Sequence, residues 1–466
     1  MEICQNREKV RSDEMLKIHK NKYVSTTNPC KLCSPYGACM AYSGIAGAFP
    51  FIHGSQGCST YIRRHMIGHF REPMDIACSN FSERSTIFGG KDNLKAGLMN
   101  AINQYKPEMV GICTTCLAET IGDDVKMFIH QIKSEYKEET MPYLVATSTP
   151  SYAGSHLEGF RRALAAVVSQ VVEPASKGNH VNIISGMVSP EDLRTLKEIF
   201  EAFGIEYVLL PDYSDRLDGQ IWQEYQSNIE HGTSIDDIKT MADAKATIEF
   251  GFAKTVENSA GIYLNKNHDI ELFKMPLPIG LRLCDEFFSA LKVISGNDVP
   301  AKYKGIRGRL IDAYVDGHKY LFGKKALIYG DEDMVVSMAS FMDEIGIVPA
   351  ICATGDNSND FSENIKTQAP EQADKITVMN DTDFSEMLDL AKSEGIDLII
   401  GNSNGFKLAR ELDVPLIRVS LPIHDRIGAA RVRHIGYSGT LELFDRIVNA
   451  IIERKQNLSP VGYTHI

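Results

Sequence analysis

Tryptophan is nearly absent from this 466-residue chain, with one residue, while acidic side chains (61) outnumber basic ones (49) and leave a net charge of −12. An acidic balance argues against a general nucleic-acid binder, which carries a basic footprint. No apolar run reaches the roughly 18 residues that span a bilayer. The start, "MEICQNREKVRSDEMLK", is polar and lacks the apolar core of a secretory signal. We therefore expect a cytoplasmic protein with neither a membrane nor a nucleic acid as partner. A hydrophobic content of 43% and a charged content of 24% are ordinary for a globular fold.

There is no short-period repeat and no low-complexity tract. Apolar stretches alternate with amphipathic ones. Candidate strands are "MVGIC" (109–113), "PYLVATS" (142–148), "HVNIISG" (180–186), "EYVLLPD" (206–212), "ATIEFG" (246–251), "KKALIYG" (324–330), "VPAICATG" (348–355), "DLIIGNS" (397–403) and "PLIRVSLP" (415–422). Between two of them, "SPEDLRTLKEIFEAFG" (189–204) predicts a helix capped by Ser189 and stopped by Gly204. Near-continuous apolar strands with helical crossovers predict parallel sheets covered on both faces. A chain this long exceeds one core, since cores stop growing near ~250–300 residues. The rhythm breaks at "VEPASKGNH" (172–180) and "DGHKYLFGKK" (316–325). The expected fold class is thus α/β, with three doubly wound domains over residues 1–175, 176–318 and 319–466.

Eight of the ten cysteines precede residue 117: Cys4, Cys30, Cys33, Cys39, Cys58, Cys78, Cys113 and Cys116. Cytosolic thiols stay reduced, so such clustering points to metal or catalysis rather than disulfides. Three readings compete. "CKLC" (30–33) and "CTTC" (113–116) have the spacing of a four-cysteine zinc site. Against this, Cys113 closes an apolar strand, and only Cys116 stands free in the following loop. Buried thiols that act as small hydrophobes are the second reading, above all for Cys78 and Cys113. The third joins Cys33, Cys58 and Cys116, each in a loop of Gly, Pro, Ser or Thr. Such loops turn backbone N–H groups toward cluster sulfides. Three thiolates are one short of a cubane's usual four, so a partner chain or an oxygen ligand supplies the rest. Ser151 follows "PYLVATST" at a strand's carboxyl end, where ligands collect. Pro150 fixes one backbone angle and so sets the hydroxyl's direction. A turn serine bonding its own backbone is the alternative.

"NPCKLCSPYGA", "HGSQGCSTYIRRHMIGHFREP", "IFGGKDNLKAGLMNAINQYKPEMVGICTTCLAETIGDDV" and "TPSYAGSHLEGF" resemble the nitrogenase component 1 family, in its β-type branch. The resemblance continues through "LLPDYSDRLDG", "GNSNGFKLARELDVPLIR" and "LPIHDRIGAARVRHIGYSGT". It implies three α/β domains and pairing with an α-type subunit in an α2β2 heterotetramer, with an iron–sulfur cluster shared between the two chains. That cluster is a [4Fe-4S] cubane or a larger P-type cluster. Carried over by motif, Cys33, Cys58 and Cys116 are the metal ligands and Ser151 a redox-dependent fourth. The branch holds both the catalytic β subunit (NifK) and a cofactor-assembly scaffold subunit (NifN). "ISGNDVPAKYKGIRGRLIDAYVDGHKYL" and the tail "SPVGYTHI" resemble the scaffold, whereas the full cysteine set with Ser151 resembles the catalytic chain.

We expect the scaffold: a NifN-type subunit, not itself an enzyme, on which a precursor is matured into the iron–molybdenum cofactor. Its implied partners are a NifE-like α-type chain, the precursor donor NifB and, transiently, the Fe protein NifH. The alternative is a catalytic β subunit beside a NifD-like chain, relaying electrons from the Fe protein for dinitrogen reduction. No G-x-x-x-x-G-K-[ST] stretch occurs, so any ATP dependence comes from a partner. Arg63, Arg64 and Arg71 suit a charged cluster or a partner's carboxylate, and equally a solvated basic face. His53 is expected to bond a backbone group, and "PDYSDRLDG" (211–219) to form an Asx turn.

Overall fold

The computed structural model describes residues 17–19, 30–136, 141–174, 177–221, 231–252 and 259–461. Cys4, most of the polar start and the final residues of the "SPVGYTHI" tail lie outside the described residues. Every named strand pairs parallel with its neighbours.

In chain order the strands are β1 (Lys17–His19), β2 (Ala48–His53), β3 (Ala77–Cys78), β4 (Met109–Thr114), β5 (Tyr143–Thr147), β6 (Val181–Ile184) and β7 (Tyr207–Leu210). There follow β8 (Ala246–Phe250), β9 (Glu271–Met275), β10 (Lys325–Tyr329), β11 (Val348–Ala353), β12 (Thr377–Met379), β13 (Leu398–Gly401) and β14 (Leu416–Arg418). They form three sheets, ordered β3-β2-β4-β5, β7-β6-β8-β9 and β1-β12-β11-β10-β13-β14. In each of the first two, and among β10 to β14 of the third, the order reverses about an early strand. That reversal is the doubly wound pattern, and it opens crevices at the strands' carboxyl ends. Strand β1 joins the third sheet through β12, not the first sheet beside it in sequence.

All nine candidate strands form; β4 runs one residue beyond its expected end, to Thr114, and the other eight are trimmed at one or both ends. Strand β2 was not among them, because Pro50 breaks its pattern. The register explains why proline is tolerated. Ile52 directs its carbonyl to Ser79 on the β3 side, and Pro50, two residues earlier, faces the same way. Strand β3 pairs only with Phe51 and Ile52, so Pro50 meets no strand donor or acceptor there.

The crossover helices follow local chemistry. In helix Pro190–Phe203, Ser189 and Asp192 close a capping box and Gly204 ends the helix at φ 66°. Leu193, Leu196, Phe200 and Phe203 on its inner face are buried. Each such side chain contributes about 1.5–3 kcal/mol on burial. One continuous apolar core links all three sheets.

Helices Ser34–Tyr42 and His156–Val171 cross more closely than side chains allow. A Cβ on Gly37 would lie 1.7 Å from the His156 carbonyl oxygen, and one on Gly159 would lie 1.9 Å from that of Ser34. Only glycine fits at either position. This crossing sets Cys33, just ahead of the first helix, beside the loop that leads into the second.

Candidate functional site

Registry in the first sheet aligns the ends of its strands. His53 of β2 pairs with Thr114 of β4, and Cys113 pairs with Thr147 of β5. The three loops that follow therefore leave the sheet side by side. They carry Cys58, Cys116 and Ser151.

Each cysteine of the expected set sits at the start of a helix. Cys33 is the N-cap of helix Ser34–Tyr42. Cys58 is in the first turn of helix Gln56–Phe70, and Cys116 is the first residue of helix Cys116–Thr120. Helix N-termini carry unpaired N–H groups and a partial positive charge, which favours a thiolate or an anion there.

Hydrogen bonds knit the loops together. The Ser151 backbone N–H donates to Cys116 Sγ at 3.2 Å, and the Ser34 N–H donates to Ser151 Oγ at 3.3 Å. Ser55 Oγ donates to Cys58 Sγ at 3.5 Å. An antiparallel bridge joins Cys33 to Ser155. Cys33 counts as exposed by surface area, yet protein atoms crowd its sulfur. That crowding pushes the thiol up to about 11; the Tyr36 N–H pulls it down, while the Cys39, Cys58 and Cys116 thiols lie near enough to push it further up. The four expected residues thus come together at the carboxyl ends of the first sheet's strands.

Their partners were not visible in the sequence. Ser34 Oγ and Tyr36 Oη are buried beside Cys33 without a hydrogen-bond partner. Ser34 looks like any helix-start serine in sequence, and only the position of Ser55, one residue before a helix, could have signalled its contact.

The zinc expectation fails on geometry. The Cys30 N–H bonds the Thr382 carbonyl, and the side chain packs into the third sheet's core beside Leu327 and Tyr329. Cys113 is buried in β4, with its thiol against that of Cys39. The two C-x-x-C pairs never meet as four, and among the described residues no three His, Cys, Asp or Glu side chains close on a point that holds a single metal ion. His53 bonds Asp123 Oδ2 through Nε2 at 2.9 Å, and burial holds its ring neutral. Arg63 donates to the Met74 carbonyl and Arg71 to that of His424, each at 2.9 Å. Asp212 accepts from the Ser214 N–H at 3.1 Å, which is the expected Asx turn.

The third sheet backs the site. His156 accepts from the Leu32 N–H at 3.3 Å through Nδ1 and pairs with Asp331 at 2.7 Å through Nε2. Burial alone would lower the His156 pKa; Asp331 reverses that and raises it.

Three doubly wound parallel sheets, with cysteine-bearing helix starts gathered at the carboxyl ends of one, define a multi-sheet α/β protein. The sequence profile of nitrogenase component 1 type oxidoreductases matches residues 33–452, and this chain belongs to that family. It is 36% identical over 431 residues to the nitrogenase molybdenum-iron protein beta chain of Clostridium pasteurianum, covering 92% of this chain and 93% of that one. The protein of the same description from Methanococcus maripaludis is 36% identical over 454 residues, at 94% and 97% coverage. A solved structure described as nitrogenase Cp1 at pH 6.5 superposes with a TM-score of 0.91 at 34% identity, covering 96% of this chain and 98% of that one. A second, nitrogenase Cp1 at pH 5, is 14% identical with a TM-score of 0.67 and shares the fold alone. Among the described residues no helix is long and apolar enough to cross a membrane.

Proposed function

We propose that this chain is the β-type subunit of a molybdenum–iron nitrogenase component 1. In this reading Cys33, Cys58 and Cys116 hold its share of an iron–sulfur cluster at the face it presents to an α-type subunit. The observation that carries the reading is the convergence of three cysteines, each on a different helix N-terminus, with Ser151 bonded between two of their loops. The donor set fits such a group: soft thiolates suit iron, and three helix starts offset the cluster's negative charge. When bound, the cluster supplies one-electron transfer between a separate ATP-dependent reductase, the Fe protein, and the reducing site in the partner subunit. The α2β2 assembly belongs to the same proposal.

The chain's own residues do the positioning. The Ser151 N–H holds Cys116 Sγ in place. Ser55 does the same for Cys58. The Ser151 hydroxyl accepts from the Ser34 N–H, and with its own proton uncommitted it would be a conditional oxygen donor to an oxidised cluster.

The names of the relatives favour this reading over the NifN-type scaffold expected from "ISGNDVPAKYKGIRGRLIDAYVDGHKYL". The two readings separate by partner. Affinity purification that brings down a NifD-like chain, with a complex that reduces dinitrogen, supports the catalytic subunit. A NifE-like chain with a bound precursor and no reduction supports the scaffold. Ligation is tested in the co-expressed complex with Cys58→Ala. Bound iron should fall and the cluster's EPR signal change; unaltered iron and spectra would remove Cys58 from the ligand set. Ser151→Ala should alter only the oxidised state in a redox titration.

A further inference from the structure

Away from the cysteine site, all three sheets' elements meet at a largely enclosed cavity with room for one water-sized guest. Met40, Met187, Met334 and Leu421 make much of its wall apolar. Two histidines also line it: His69, in the last turn of helix Gln56–Phe70, and His434, just before helix Gly436–Leu458.

Each ring has one nitrogen already committed. The Ile423 N–H donates to His69 Nδ1 at 2.8 Å. That nitrogen is therefore an acceptor, and the proton of the neutral ring sits on Nε2. The ring is neutral: burial pushes its pKa down to about 3. His434 Nδ1 lies 2.7 Å from Asp192 Oδ2. Asp192 is buried and also accepts from the N–H groups of Ser189, His434 and Ile435. An acceptor this saturated keeps the His434 proton on Nδ1. In the neutral ring His434 Nε2 is then a lone pair, fully buried and without a hydrogen-bond partner.

We propose that this cavity is the binding site of a single structural water, which accepts a hydrogen bond from His69 Nε2–H and donates one to His434 Nε2. Its second hydrogen has acceptors at hand. Ser189 Oγ donates its own proton to the Val432 carbonyl at 2.6 Å, and Ser420 Oγ donates to Asp331 Oδ2 at 2.7 Å. Both hydroxyls line the cavity and keep a lone pair for the guest. The pattern of one donor and one acceptor selects an uncharged molecule that can do both. A metal ion would face the His69 N–H, and an apolar guest would leave His434 Nε2 unpaired. The water ties a helix of the first sheet to Ser189 of the second and to the His434 segment beside the third, so it latches the three together.

A crystal structure of the assembled complex, at a resolution that orders internal waters, tests this directly. A peak within hydrogen-bond reach of both nitrogens is expected. A dry cavity, a direct bond between the rings, or an anomalous signal from a metal overturns the proposal. A second test fills the space with Ala429→Val, since Ala429 lines the cavity. Expulsion of a bonded water should lower the melting temperature and remove the peak. A raised melting temperature, as expected on filling a dry void, would overturn the proposal on its own.

Discussion

The first and third sheets place polar residues at the same topological point and use them differently. At the carboxyl ends of β2, β4 and β5 the loops deliver Cys58, Cys116 and Ser151. At those of β10 and β11 they deliver Asp331, Glu332, Asp333 and Asp356. The carboxylates are consumed inside the chain. Asp331 meets His156 and Ser420, each at 2.7 Å. Asp333 meets Arg161 at 2.5 Å and the Phe252 N–H at 2.8 Å. Glu332 accepts from Asn364 at 3.1 Å. The sulfurs have only single N–H or O–H contacts and keep their ligating capacity. Topology therefore marks where function can sit, and the unsatisfied valence of the side chains decides which sheet has it.

That contrast can be broken by substitution. Asp333→Ala removes the carboxylate that Arg161 hydrogen-bonds, leaving Glu332 and Glu249 near it but unbonded, and strips the Phe252 N–H of its acceptor. It should cost about 3–5 kcal/mol in denaturant unfolding, with the cysteine loops unaltered in sequence. A loss below about 1 kcal/mol would mean that the third sheet's carboxylates are as dispensable as surface charges.

Glu332 sharpens the comparison through pH. Burial, with Asp333 adding repulsion, pushes its pKa up to about 7. An unfolded glutamate ionises near ~4.3. Between these values the folded chain holds a proton that the unfolded chain lacks, so stability falls as pH rises across that window and levels off above it. Glu332→Gln should remove that slope and stabilise the chain at pH 8 by roughly 3–4 kcal/mol. An unchanged slope in pH-dependent unfolding would assign it to another group.

Gly159→Ala acts at the crossing between the two regimes. Its methyl would displace Ser34 and should cost about 1–3 kcal/mol. Because Ser34 holds Ser151, bound iron should also fall, though no sulfur has been removed. Iron content measured beside the melting temperature checks both. The smallest stability effect is expected from Cys116→Ala, within about 0.5 kcal/mol, alongside a clear loss of iron. A large destabilisation without iron loss would make Cys116 a packing residue.

Much of this was legible in the sequence. Nine of the fourteen strands among the described residues announced themselves by apolar runs, and Ser189 and Gly204 marked their helix. Cys58, Cys116 and Ser151 could be placed because each follows a strand or glycine turn. What was not legible depends on distant partners. Strand β2 hid behind Pro50, whose tolerance rests on how short β3 is. The Asp331–Asp333 row reads locally as an ordinary helix start, and nothing near it announces Arg161 or His156. The split of Cys30 from Cys33 was equally hidden, since the spacing of a pair says nothing about which core each member enters. The preference for a scaffold rested on residues 294–321, on "GNSNGFKLAREL" (401–412) and on the tail. The relatives, aligned over nearly the whole chain, are beta chains of the molybdenum-iron protein instead.

Cys30 and Cys33 are ends of a short strap. Cys30 is held in the third sheet through Thr382, whereas Cys33 stands at the first sheet's cysteine site. On the ribosome the first sheet emerges long before Thr382 does. A nascent chain can fold Cys58 and Cys116 into position early and can bridge Cys33 to Ser155, but the Cys30 end of the strap is pinned only when the last sheet closes. On the proposed reading, a cluster that needs all three sulfurs would rest on a strap fixed at both ends only once the fold is complete.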